Sequence, residues 1–244
     1  MIDPSKTILT PSEIEQAQRI FDAVWPELAS EKGEGNIRFP KKLYWLNGAP
    51  GAGKGTQTRF IMNLKSIEAA PVVVSDLLTT PEMQQLKDAG IMVGDKEVVA
   101  LLLRKILEFS GKEGLIIDGF PRTGVQVAFL EMLHAKLAEI DSAAPEFHII
   151  VLYVDEKISV DRQIFRGNQI KKANEEATKS GNLDAVEELR VTDQDPEAAR
   201  KRYLTYKDVT FPALETLKGK FPYHFINAQE SIDQVQANIT REMA

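Results

Sequence analysis

Hydrophobic positions fall along this chain in short solid runs, separated by stretches with helical spacing. The runs are Leu43–Leu46, Pro71–Val74, Leu115–Asp118, Phe147–Val154 and Tyr223–Ile226, rich in β-branched residues and apolar at successive positions. A strand open to water on one face alternates; a strand buried on both faces, as in a parallel sheet, reads as a continuous run. Between the runs, the spacing predicts helices over 53–66, 95–109, 125–139, 156–166, 196–217 and 229–243. Asp95, for example, opens a segment with Val98, Val99, Leu102, Leu103 and Ile106 on one face. Strand–helix alternation of this kind predicts an α/β sheet with helices on both faces.

Two segments stand apart from this rhythm. Residues 1–40 read as an N-terminal helical extension before a core at 41–244. Ser12 is a plausible N-cap, Ile14, Ala17, Ile20, Phe21 and Val24 form one apolar face, and Lys32–Asn36 is a linker. Such a helix packs on the core or, in the sharper reading, meets a partner. The stretch from Gly167 to Glu188 is polar and helix-leaning, too poor in apolar residues to be core. It is either a solvated excursion or a mobile flap over a site.

Composition narrows the chemistry. The chain has 244 residues, 43% hydrophobic and 27% charged, the balance of a soluble globular protein. A net charge of -6 argues against nucleic-acid coating, although local positive charge can still hold a nucleotide. Cysteine is absent, which removes disulfides, thiol nucleophiles and thiolate zinc sites. His134, His148 and His224 show no metal-ligand spacing. Met1–Lys6 lacks the apolar core of a signal peptide, and no run approaches the about 18 apolar residues of a membrane span. The expected location is cytoplasmic, without membrane partners.

The sharpest chemical signal follows the first strand. Asn47-Gly48-Ala-Pro-Gly51-Ala52-Gly53-Lys54-Gly55-Thr56-Gln57 is a glycine-rich turn entering a helix. Glycines let successive N–H groups point at phosphate oxygens, the helix N-terminus adds its dipole, and Lys54 adds a full charge. A dinucleotide fingerprint from Gly51 would need glycine at Thr56, and the chain has neither H-R-D nor D-F-G of a protein kinase. A second element agrees: the apolar strand at 114–118 ends in Asp118, where a P-loop protein holds Mg²⁺ or its water shell.

Together, Gly48–Thr56 and Asp118-Gly119-Phe-Pro-Arg122-Thr123 resemble the adenylate kinase family of nucleoside monophosphate kinases over residues 42–243. The resemblance implies a three-layer P-loop NTPase fold with a five-stranded parallel sheet of order 2-3-1-4-5. It also implies an acceptor-binding insert near 75–100 and a lid near 167–192. It implies transfer of the γ-phosphoryl group of Mg-ATP to a nucleoside monophosphate, AMP first, with UMP or CMP as alternative acceptors. ATP would meet Gly51, Ala52, Gly53, Lys54, Gly55, Thr56, Arg162, Arg166 and Gln229. The acceptor would meet Val74, Ile91, Met92, Val93, Gly119, Arg122, Gln126, Arg190 and Arg202. Lys54, Arg122, Arg166, Arg190 and Arg202 would be catalytic, with Asp118 holding Mg²⁺ through water. Arg162 would stack on adenine and Gln126 would bond the acceptor base. A monomer is expected, and zinc is not.

The chain departs from the family pattern in places. Val74-Ser75-Asp76-Leu77-Leu78-Thr79 stands where the family has T-G-D-[ML]-[LI]-R, so threonine replaces a phosphate-gripping arginine and valine a base-contacting threonine. One extra residue separates Arg190 from Asp193. The lost arginine leaves a different class open, a nucleotide-binding module with little turnover.

Overall fold

The computed structural model describes residues 8–88, 93–141, 144–187 and 189–244. Five parallel strands form one sheet in the order β2-β3-β1-β4-β5, as the resemblance implies. β1 (Lys42–Gly48) is central, with β3 (Gly114–Asp118) on one side and β4 (Glu146–Tyr153) on the other. From Leu43 onward β1 is buried, which is why its sequence runs apolar without alternation. β5 (Tyr223–Asn227) and β2 close the two edges. β2 is only Val72–Val73, because Val74 already starts a helical turn, α3 (Val74–Leu77).

Helices pack around the sheet. α1 (Pro11–Lys32) opens on Thr10 and not Ser12: Thr10 Oγ1 accepts from Glu13 N, and the Glu13 carboxylate accepts from Thr10 N at 2.8 Å. This reciprocal capping box satisfies donors that would otherwise be orphaned at the first turn. α1 lies on α6 (Gly124–Ile140) and α5 (Asp95–Leu107). Ala17, Ile20, Val24, Trp25 and Leu28 join the same hydrophobic core as the strands, and Phe21 stacks on Trp25 while meeting Phe129. Ile14, assigned to that face by spacing, is 45% exposed.

The sequence pattern misplaces two helix ends. α7 runs Glu156–Lys179 without a break, well past residue 166. The polar stretch after Gly167 is rich in Lys, Glu, Gln and Ala, all good helix formers, so propensity carries the helix on where no apolar face marks it. The predicted helix at 196–217 divides into α8 (Pro196–Thr205), a π-helical turn at Tyr206–Thr210 and α9 (Phe211–Glu215). Pro212 has no N–H for an i−4 carbonyl, and the wider turn before it, closed by Phe211 N to Tyr206 O, accommodates the gap. Among the described residues no helix is long and apolar enough to cross a membrane.

If α1 belongs to the cooperative fold, Leu28→Ala should be costly, since Leu28 is 1% exposed. The expected loss is about 2–5 kcal/mol in urea unfolding. An unmoved midpoint would show α1 to be dispensable to the core.

Candidate active site

The site is built at the C-terminal ends of the parallel strands, where open α/β sheets place their ligands. β1 delivers the glycine loop to the start of α2 (Lys54–Leu64). Gly51 (φ 72°) and Gly53 (φ 83°) adopt left-handed backbone. At Gly51 a side chain is excluded twice, since a Cβ would also stand 2.8 Å from the Ser159 carbonyl. That close approach is held by Ser159 Oγ, which donates to Pro50 O at 2.7 Å. Lys54 Nζ donates to Gly48 O at 3.2 Å, lying back across the loop it serves.

Beside the glycine loop, Arg162 Nη1 donates to Ala228 O (2.8 Å) and Gly51 O (3.4 Å), and Nη2 to Gln229 O (3.2 Å) and Glu230 O (3.3 Å). One guanidinium thus joins the glycine loop to the loop after β5, beside Gln229. Its N–H groups are engaged in plane, so contact with a base would come through its flat face, the geometry stacking requires.

On the other side, Asp118 ends β3 level with Leu46 of β1. Arg122, on the loop that follows, is fastened by its backbone N–H to Gln126 Oε1 (2.8 Å) and by Nε–H to Gly119 O (2.7 Å). Gln126 is 4% exposed, and its Nε2 donates to Asp95 Oδ1 at 2.8 Å, where Thr123 Oγ1 also donates at 3.1 Å. Each end of the Gln126 amide is therefore engaged once within the protein, which fixes its orientation and leaves one N–H and one lone pair. Val74 and Val93 are buried. Ile91 and Met92 lie outside the described residues.

The segment returning from α7 closes the site. Arg166 Nη2 meets Asp193 Oδ1 at 2.5 Å, and Arg202 Nη1 donates to Thr192 Oγ1 at 3.2 Å. The return passes so near α7 that a Cβ on Gly167 would lie 1.8 Å from the Asp193 carbonyl. Residues Val191–Asp193 form a 3₁₀ turn directly after Arg190. Arg190 stands close enough to Arg122 and Arg202 to add to the lowering of both.

Electrostatics shows the convergence most directly. Lys54 has its pKa pushed down to about 8, first by burial and then by Arg122, Arg202 and Arg166, against the pull of Asp118. Arg202 is pushed down to about 10 by burial and by Arg190, Arg122 and Arg166, with Asp193 opposing. Arg122, although exposed, is lowered by loss of solvation, with Arg190 adding and Asp118 opposing. Asp118 is raised, burial outweighing Lys54 and Arg122, with Asp76 adding to the rise.

Asp193 and Asp95 are contributors that sequence reasoning left without a role. Asp193 sat in plain view within the Asp193–Arg202 motif, but its burial against Arg166 is a long-range fact. Asp95 was visible only as a helix start.

A family model described as an AAA domain matches residues 47–194, from the glycine loop through the return segment. An adenylate kinase of Deinococcus deserti is 32% identical over 209 residues, covering 83% of this chain and 96% of that protein. The chain belongs to the adenylate kinase family. Adenylate kinases of Brucella abortus (strain S19) and Flavobacterium psychrophilum are 31% and 29% identical, each over 80% of this chain and 95% and 94% of their own lengths. A gluconokinase structure from Sinorhizobium meliloti 1021 matches at 13% identity and TM-score 0.46 over 85% of this chain and 93% of that one, too slight a likeness to bear on the argument. As an adenylate kinase family member, the protein is a phosphotransferase of the nucleoside monophosphate kinase kind.

The depressed pKa of Lys54 has a measurable consequence. Between about 8 and the ordinary 10.5 the unfolded chain keeps a proton that the folded protein has lost, so this group makes stability rise with pH across that window. Below it both states are protonated and the full penalty stands. Bound phosphates draw the pKa back up, so ATP binding slightly above pH 8 should take up a proton. Calorimetry in two buffers of different ionisation enthalpy should give different heats, and Lys54→Met should abolish the difference. Equal heats with the wild type would contradict the placement of Lys54.

Proposed function

We propose that this protein transfers the γ-phosphoryl group of ATP reversibly to AMP, giving two ADP. One observation carries the reading: cations from separate parts of the chain converge, Arg122, Arg202 and Arg166 acting on Lys54, and Arg190, Arg122 and Arg166 acting on Arg202. Phosphoryl transfer asks little covalent chemistry of a protein; it asks that two phosphate groups be aligned and their charge neutralised.

In this reading the glycine loop and Lys54 hold the ATP phosphates, and Arg162 with the Gln229 loop holds the adenosine end. Arg122 grips the acceptor phosphate, fixed in direction by its bonds to Gln126 and Gly119. Arg166, Arg190 and Arg202 surround the group in flight, planar donors matching its oxygens. Mg²⁺, when bound with ATP, supplies charge that bridges the phosphates. Asp118 fits it, since the ion binds through one or two carboxylates plus phosphate and water oxygens rather than an all-protein cage.

The direct test is a coupled assay with ATP against AMP, GMP, CMP, UMP and dTMP. Turnover should be fastest with AMP; turnover confined to UMP or CMP would move the specificity, and none with any acceptor would overturn the reading. A nucleotide-binding module with little turnover is favoured by Thr79 alone, which lies exposed on the link between α3 and α4 (Pro81–Asp88). Threonine carries neither charge nor a bidentate fork there.

Acceptor affinity should therefore be weak. Thr79→Arg should raise kcat/KM for the monophosphate roughly tenfold if about 1.4 kcal/mol of contact is restored. The ATP KM should barely move. No gain for the acceptor would show that position 79 does not face its phosphate.

A further inference from the structure

We infer that Thr210 is a positioning residue: its hydroxyl, carried on the π-helical turn, keeps Arg122 in register with Arg202. The inference rests on the reading of Arg122 and Arg202 as phosphate ligands.

The hydroxyls of other helical threonines are used locally. Thr58, Thr178, Thr205 and Thr240 each donate to the carbonyl four residues back on their own helix. That is the usual fate of a hydroxyl inside a helix. Thr210 breaks the habit. It is 5% exposed, and its Oγ1 donates at 2.9 Å to the carbonyl of Arg122, 88 residues away in the chain.

Three bonds fix Arg122, and they differ in kind. The backbone N–H to Gln126 and Nε–H to Gly119 lie within the same loop and helix start. They set the local shape of the loop, but not where it stands relative to the rest of the site. The Thr210 bond reaches outside, to the rod of α8, π turn and α9 that also carries Arg202. An acceptor-side arginine and an arginine of the returning segment are thereby tied to one rigid support.

The π turn makes the tie possible. An α-helix turns about 100° per residue, so a residue eight positions beyond Arg202 would lie about 80° round the rod from it. Residues wound with i→i+5 bonds turn less at each step. The π turn at Tyr206–Thr210 therefore swings Thr210 back toward the side on which Arg202 enters the cleft. Single π turns inside α-helices are frequent at functional sites, and here the distortion has a specific product.

Arg122 and Arg202 are like charges near enough that Arg122 adds to the lowering of the Arg202 pKa, after burial and Arg190. Two like charges held at a fixed spacing need an outside restraint on their backbones, since their own interaction drives them apart. The Thr210 bond acts on backbone alone, so it supplies that restraint without neutralising either charge.

Thr210→Val removes the hydroxyl and keeps the shape; Thr210→Ser keeps the hydroxyl. We expect Thr210→Val to raise the acceptor KM or lower kcat by about tenfold, leaving the ATP KM unchanged, as loss of one positioning bond should. Thr210→Ser should restore most of the loss. By NMR, the backbone N–H of Thr123, which shares its peptide group with the Arg122 carbonyl that Thr210 holds, should exchange with solvent faster in Thr210→Val and recover in Thr210→Ser. An unchanged exchange rate overturns the inference whatever the assay gives. Normal acceptor kinetics in Thr210→Val overturns it as well, as does an equal rise in both substrates' KM that Thr210→Ser fails to rescue. A wild type inactive toward every nucleoside monophosphate defeats the functional reading instead, and the exchange rate then decides the role of Thr210.

Discussion

Like charges repel, and this protein is arranged around an instance of that repulsion. Lys54, Arg122, Arg166, Arg190 and Arg202 face a common space in a chain whose net charge is -6. Asp118 draws on Lys54 and Asp193 on Arg202, each offsetting part of the repulsion from the neighbouring arginines, while burial adds its own cost to holding both charges. Such a cluster adds nothing to folding. It becomes favourable only against a partner with several negative charges, and a polyphosphate meeting a second phosphate is such a partner. The stability that holds the cations together has to come from elsewhere in the fold.

The supporting structure meets that need in layers. The parallel sheet sets the ends of β1 and β3 side by side, which brings the glycine loop level with Asp118. Arg162 and Ser159 clamp the glycine loop to α7, with the loop after β5 drawn in by the same guanidinium. Buried Asp193 anchors Arg166, and the bare Cα of Gly167 lets the return segment come near enough for it to do so. α1 braces the far side by packing on α5 and α6, the helices that carry Asp95 and Gln126. Fixed donors of this kind need little rearrangement as charge moves.

Much of this was legible in the amino-acid pattern, for physical reasons. Strands buried on both faces leave unbroken apolar runs, and the glycine loop needs residue types that few other structures need in that order. What was hidden depends on contacts distant in sequence. The end of α7 was missed because Gln169–Lys179 has helix propensity without an apolar face. The π turn was missed because Pro212 reads as helix start as easily as helix distortion. Asp193, Asp95 and Thr210 look like ordinary polar residues until the chain folds Asp193 against Arg166, Asp95 against Gln126 and Thr210 against the Arg122 carbonyl. The 3₁₀ turn after Arg190 likewise leaves no mark in composition.

If mutual repulsion is what the fold restrains, removing one cation should help the protein alone and harm it with nucleotide. Equilibrium unfolding of Arg202→Met, with and without Mg-ATP plus AMP, reads both at once. The account predicts a variant at least as stable as the wild type without nucleotide, and one that gains far less stability when nucleotide is added. A variant that is markedly less stable alone, yet still fully stabilised by nucleotide, would contradict it.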